Sequence, residues 1–142
     1  MIRHKLSGVG AAMITPFTAD GRIDYEALAS TVDYVIEGGA DYIVALGTTA
    51  ETPTLYMPER AVIAMFISNH IAGRVPLVIG VGGNSTSEVL DQLREFDLRR
   101  ADAILSVTPY YNKPSQEGLY QHFRTVSEHS PVPVILYNIP GR

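Results

Sequence analysis

No cysteine occurs among the 142 residues. Structural disulfides, thiolate nucleophiles and cysteine-based zinc sites are therefore excluded. Positive charge is scarce: 11 Lys plus Arg stand against 15 Asp plus Glu, for a net charge of -4. A nucleic-acid backbone needs a cationic surface, so no nucleic-acid partner is expected. No apolar run approaches the roughly 18 residues that span a bilayer, and no membrane partner is expected. The opening Met1-Ile2-Arg3-His4-Lys5-Leu6 is not followed by the apolar stretch of a secretory signal. The expectation is a soluble, mildly acidic, cytoplasmic protein. The histidines, at 4, 70, 122 and 129, do not pair at metal-ligand spacing. No metal is expected, and each is read as a surface or helix-face residue. Gly80-Val81-Gly82-Gly83-Asn84 runs into Ser85, which breaks the dinucleotide fingerprint. A P-loop and a Gly-x-Ser-x-Gly elbow are also lacking. So are a linker, a low-complexity segment and a second domain.

What remains is enough for one ordinary domain with a real core, since 46% of the residues are hydrophobic and 18% charged. Short apolar runs rich in Val and Ile recur at Val9 to Phe17, Tyr42 to Leu46, Leu77 to Val81, Ala103 to Val107 and Val132 to Tyr137. Apolar on both faces, they read as parallel strands covered on both sides. Helical spacing fills the gaps. Asp24 is placed to cap a helix whose face is Tyr25, Leu28, Ala29, Val32, Val35 and Ile36, with Gly38-Gly39 as its stop. Pro58 suits a first helical position. Val62, Met65, Phe66 and Ile71 follow as an apolar face, closed by Gly73. Ser85 to Glu88 has capping-box spacing before Val89, Leu90 and Leu93. Ser115 is placed to cap a helix carrying Leu119, Phe123 and Val126. The order is β-α-β-α-β-α-β-α-β, with a repeat of about 30 residues, the size of a βαβ unit. Such a repeat builds either a doubly wound open sheet or part of a (β/α)8 barrel, which needs roughly 250 residues when whole. Periodicity leaves both open.

Both architectures place ligands at the C-terminal ends of the strands. Five polar loops stand there: Thr15-Pro16, Gly47-Thr48-Thr49-Ala50-Glu51, Gly82-Gly83-Asn84, Thr108-Pro109-Tyr110-Tyr111-Asn112 and Tyr137 to Arg142. Together they offer the hydroxyls of Thr48, Thr49, Tyr110, Tyr111 and Tyr137, glycine-flanked amides, and the Arg142 guanidinium. Hydroxyls and amides hold a small carboxylate or oxyanion. Tyrosine hydroxyls in a chain pass protons, and an arginine grips a second carboxylate by two parallel hydrogen bonds. Small oxo acids fit such a set. Plainer readings stand beside this one. Gly-Thr-Thr after a strand also serves as a turn and helix cap. Tyr110 and Tyr111 also suit packing, Tyr137 a buried strand position, and Arg142 a solvated one. Glu51 has no second carboxylate beside it and is read as capping backbone amides.

Three of these segments carry a resemblance. They are Gly47-Thr48-Thr49-Ala50-Glu51, the run from Thr108-Pro109-Tyr110-Tyr111-Asn112 through Lys113 to Phe123, and Tyr137-Asn138-Ile139-Pro140-Gly141-Arg142. With the opening Gly8 to Phe17, they resemble the dihydrodipicolinate synthase / N-acetylneuraminate lyase family of Schiff-base class I aldolases, in order and along the whole chain. The resemblance implies an α/β fold, a (β/α)8 TIM barrel with a C-terminal helical extension. Residues 1–142 would be its N-terminal half, about four βα units and the fifth strand. The family's Schiff-base lysine lies on the sixth strand, beyond Arg142, and neither Lys5 nor Lys113 can be assigned its role.

The implied reaction condenses pyruvate with aspartate semialdehyde, feeding lysine and diaminopimelate synthesis, with no cofactor. By motif, Thr49 would bind the pyruvate carboxylate and Tyr137 would donate and accept protons. Thr48 and Tyr111 would complete the relay, Tyr111 reaching a neighbouring subunit of a homodimer or homotetramer. Arg142 would grip the semialdehyde carboxylate, which favours the synthase over the sialic-acid lyases. Asn84, Glu88 and Tyr110 match the family's lysine-inhibition cleft. Met57 and Arg60 stand where inhibited members often carry histidine, so lysine inhibition is expected to be weak or absent. Ala50 stands where the family usually has glycine. A positive φ there would cost of order 1 kcal/mol. A sibling pyruvate-dependent aldolase with another aldehyde, and a half barrel that binds without catalysis, are the alternatives.

Overall fold

The computed structural model describes residues 2–140. Five strands form one sheet: β1 (Gly10–Ala12), β2 (Tyr42–Ala45), β3 (Leu77–Gly80), β4 (Ala103–Val107) and β5 (Val134–Tyr137). All neighbours are parallel, and the order is β1-β2-β3-β4-β5. That order decides between the two architectures. A doubly wound sheet reverses its strand order at a switch point, and this sheet never does. A short α1 (Ile2–Lys5) precedes β1. The connecting helices are α2 (Tyr25–Glu37), α3 (Met57–Ile71), α4 (Thr86–Glu95) and α5 (Gln116–His129). Each packs on the next, α2 on α3, α3 on α4 and α4 on α5. They therefore line one side of the sheet, as in the wall of a barrel. The helix-facing residues Ile43, Ala45, Ile79 and Ile104 are completely buried. Leu105 and Val107 point the other way, into the concave side.

Local chemistry explains most of the boundaries. The Asp24 side chain accepts from the Ala27 N–H at 2.9 Å, and Gly39 turns the chain away at φ 90°. Ser115 Oγ accepts from Gly118 N at 3.1 Å. Such caps satisfy amides that have no partner inside the helix.

Three expectations need correction. The capping box at Ser85 does not form: Ser85 Oγ lies 3.0 Å from Ser87 Oγ instead, and Glu88 is exposed. The inner face of α3 is Ile63, Ala64, Ile67, Ser68 and Ile71, whereas Val62 and Met65 are 42% and 48% exposed. This helix is apolar nearly all round, so spacing alone did not single out the packed stripe. Its start and end also move by a residue: Pro58 is the second helical position, and Ala72 already holds the left-handed cap at φ 51°. The histidines divide. His129 is exposed, and His70 Nε2 lies 3.0 Å from Asp33 Oδ2. His122 instead faces inward, with Nδ1 2.8 Å from Thr86 Oγ1. Its burial pushes the imidazole below its ordinary value. Among the described residues, no helix is long and apolar enough to cross a membrane.

Candidate active site

The loop after β2 is shaped by a backbone that only tertiary contacts sustain. Leu46 adopts φ 55° and Glu51 φ 54°. A left-handed L-residue costs roughly 1–2 kcal/mol, so something must hold it. Thr52 Oγ1 lies 2.7 Å from the Gly47 carbonyl oxygen and 3.1 Å from that of Leu46. Its hydroxyl proton is shared between the two. Behind this turn, a Cβ on Gly80 would stand 2.0 Å from the Leu46 carbonyl oxygen. Glycine is required at that point of β3 because another backbone crosses it. Between the two left-handed residues, Thr48–Ala50 forms a 3-10 turn. The buried Thr15 hydroxyl donates to the Ala50 carbonyl at 2.8 Å, tying the first loop to the second. Ala50 itself is not at positive φ, so the strain expected there is absent and falls on Leu46 and Glu51. Among the described residues the Glu51 side chain caps no amide; its backbone carbonyl accepts from Thr54 N at 2.8 Å instead. Its side chain is exposed, and among the described residues it makes no hydrogen bond.

The third loop is clamped from below. Buried Gln92, on α4, accepts from Gly82 N at 3.3 Å and donates to Gly82 O at 3.2 Å. Sequence reasoning missed Gln92 and Thr52. The only trace of Gln92 is a polar residue on the apolar stripe of Val89 and Leu93. The fourth loop carries Tyr111 at φ 69°, and the Asn112 side chain donates to the Asn84 carbonyl at 3.1 Å. The fifth is joined to the fourth by Thr108 N donating to Tyr137 O at 3.1 Å.

Loops two to five line a partly open pocket of about 50 Å³. Thr48, Tyr110 and Tyr137 share its wall with Thr52 and Arg60, above an apolar floor that includes Leu105 and Val107. Three of the anticipated residues thus meet. Thr49 is exposed on the turn and does not line this space, and Tyr111 is 93% exposed. Asn84 and Glu88 are exposed outside it. Arg142 lies outside the described residues. Lys5 pairs with Asp102 at 3.1 Å, beside the N-terminal ends of the strands and away from the pocket. Lys113 is exposed in the tyrosine loop at φ 31°. Neither lysine lines the pocket. A wall of hydroxyls over an apolar floor can hold a small polar molecule and move a proton along it.

Known proteins match this chain along its length. A 4-hydroxy-tetrahydrodipicolinate synthase of Parabacteroides distasonis is 52% identical over 137 residues, which cover 96% of this chain and 46% of the relative. The structure of a chloride-inhibited dihydrodipicolinate synthase from Acinetobacter baumannii complexed with pyruvate superposes with a TM-score of 0.90 at 44% identity. It covers 95% of this chain and 46% of that one. A prophage protein of the dihydrodipicolinic acid synthase family from Escherichia coli, also in complex with pyruvate, gives a TM-score of 0.90 at 35% identity. Here 96% of this chain and 46% of the other are covered. The chain spans about half the length of the curated relatives it matches. The pattern of the Dihydrodipicolinate synthetase family runs from residue 5 to residue 142, and the chain belongs to that family of lyases.

Proposed function

We propose that these residues are the N-terminal half of a Schiff-base aldolase that condenses pyruvate with aspartate semialdehyde, the reaction of a 4-hydroxy-tetrahydrodipicolinate synthase. The observation that carries this reading is the meeting of Tyr137 and Thr48 in one pocket at the C-terminal ends of the strands. Two pyruvate complexes among the similar structures support the same oxo acid. In the proposed reaction, a lysine amine from chain beyond these residues attacks the pyruvate ketone. Water leaves and an imine forms. Loss of a methyl proton gives the enamine, whose carbon bonds to the aldehyde carbon.

Each transfer needs a proton moved inside a closed site. Tyr137 would supply and take it, with Thr48 and Tyr111 passing it on. Tyr111 is exposed, which suits a side chain offered to a neighbouring subunit of a homodimer or homotetramer. Thr49 would hold the pyruvate carboxylate and Arg142 that of the semialdehyde. Hydroxyls do this without placing a fixed charge beside the cationic imine. A cytoplasmic site in lysine and diaminopimelate synthesis follows from the reaction.

Trapping tests the proposal. With pyruvate and borohydride, the full-length protein should gain the mass of one reduced pyruvate, on a lysine outside residues 1–142. No adduct, or an adduct on Lys5 or Lys113, overturns it. Thr52 supplies a second check, since it positions the turn that aims Thr48 and Thr49. Thr52→Val in the full-length protein should raise KM for pyruvate roughly tenfold, as a misplaced binding loop does. Thr52→Ser keeps the hydroxyl and should restore it.

A further inference from the structure

We propose that Gln92 is a positioning residue: it completes the backbone of Gly82, holds the third loop against β4, and so fixes where Tyr137 stands in the pocket. Gln92 lies on α4 with Val89 and Leu93, and all three are buried. At 3% exposure its carboxamide is out of water, which costs free energy unless both ends are bonded. Both are. Oε1 accepts from Gly82 N at 3.3 Å, and Nε2 donates to Gly82 O at 3.2 Å. Gly82 lies past Gly80, the last residue of β3. One acceptor and one donor side by side give it what a neighbouring strand gives a residue within the sheet.

The position so fixed is a tight one. A Cβ on Gly82 would stand 2.9 Å from Val107 Cγ1 and 3.0 Å from Val107 N. Gly82 is thus pressed between a helix side chain and the backbone of β4. Val107 pairs with Tyr137 in the β4–β5 register, and Thr108 N donates to Tyr137 O at 3.1 Å. Gly82, Val107 and Tyr137 line the pocket, and Gln92 does not. Contacts therefore run from α4 through Gly82 and Val107 to the backbone that carries the Tyr137 hydroxyl. Without the carboxamide, Gly82 is free to withdraw from Val107, and the strand beside it relaxes. A buried helix side chain anchors the loop more precisely than the loop anchors itself. The inference rests on the aldolase reading only for the reaction that Tyr137 serves.

Hydrogen exchange and steady-state kinetics of the full-length protein are the test. Gln92→Leu nearly keeps the volume and removes both polar ends. It should speed exchange at Gly82 N and Thr108 N roughly fivefold, the loss of one ordinary hydrogen bond. Ile43 N, bonded to Pro76 O, should exchange as before. The kcat should fall roughly tenfold or more, as a misplaced proton-transfer group causes, with KM for pyruvate little changed. Gln92→Glu discriminates further. Burial raises a carboxyl pKa, and the protonated acid can accept from Gly82 N and donate to Gly82 O as the amide does. Its kcat relative to wild type should be near one at low pH and fall as pH rises. Gln92→Leu should lose the same factor throughout. Thermal melts identify a variant that fails to fold, and if Gln92→Leu does so, the pH dependence of Gln92→Glu decides. Folded variants with wild-type exchange at Thr108 overturn the proposal. So does faster exchange with kcat unchanged, which would make Gln92 a staple for α4 alone. A wild type that traps no pyruvate removes the aldolase reading, and exchange at Thr108 then decides on Gln92.

Discussion

Gly80→Ala is expected to destabilise the fold by about 3 kcal/mol, the upper end of what overpacking costs. The added Cβ would stand 2.0 Å from the Leu46 carbonyl oxygen, 2.5 Å from its carbon and 3.0 Å from Gly47 N. All three are backbone atoms, so no side chain can rotate away. The turn they belong to is already left-handed at Leu46 and is held by Thr52. The clash must therefore push β3 and the Thr48 loop apart. Gly39→Ala is the control. It sits at φ 90° with open space around its Cβ position, so only the backbone preference is lost, about 1 kcal/mol. Urea denaturation of both variants measures the difference. Equal midpoints for the two would mean that the crossing of Leu46 over Gly80 does not exist as described.

Tyr137→Phe in the full-length protein should lower kcat about 100-fold or more, the range of general acid–base catalysis. KM for pyruvate should change little, because the carboxylate is held elsewhere. Stability should also change little, since the contact joining Tyr137 to the fourth loop is made by its backbone carbonyl. Thr48→Val should act on the same step. If the two hydroxyls form one relay, the double variant loses no more than the worse single one. Steady-state kinetics with pyruvate and aspartate semialdehyde reads all three. A Tyr137→Phe protein that keeps more than a tenth of wild-type kcat would remove Tyr137 from the proton path.

A parallel sheet covered on both faces demands Val- and Ile-rich strands ended by Gly, Pro or Thr. Helix ends demand Asp or Ser where amides are left over. These demands are local, so β1 to β5, and the caps at Asp24 and Ser115, were legible from the sequence. The loops that could carry chemistry were legible for the same reason. The site's supports were not. Thr52 looked like any loop threonine until Leu46 turned left-handed beneath it. Gln92 looked like a helix-face polar residue until Gly82 was placed against it. Ala50 drew suspicion that belonged to its neighbours. On α3, apolar residues all round left two stripes available, and only packing against the sheet chose Ile63 and Ile67 over Val62 and Met65.

The sequence by itself determined the alternation of strands and helices, the hydroxyl-bearing loops at the strand ends, and the approximate bounds of all elements but the first strand, which was read over Val9 to Phe17 and spans only Gly10–Ala12. Periodicity left barrel and open sheet level; the tertiary structure, in which the strands follow one another without a switch point, bore out the barrel wall that the resemblance implied. It also decided that Thr48, Tyr110, Tyr137 and Arg60 face one space while Tyr111 turns outward. The reason is one of range. Periodicity and capping act over a few residues, whereas strand order, left-handed turns and a shared pocket depend on groups distant in the chain being brought together.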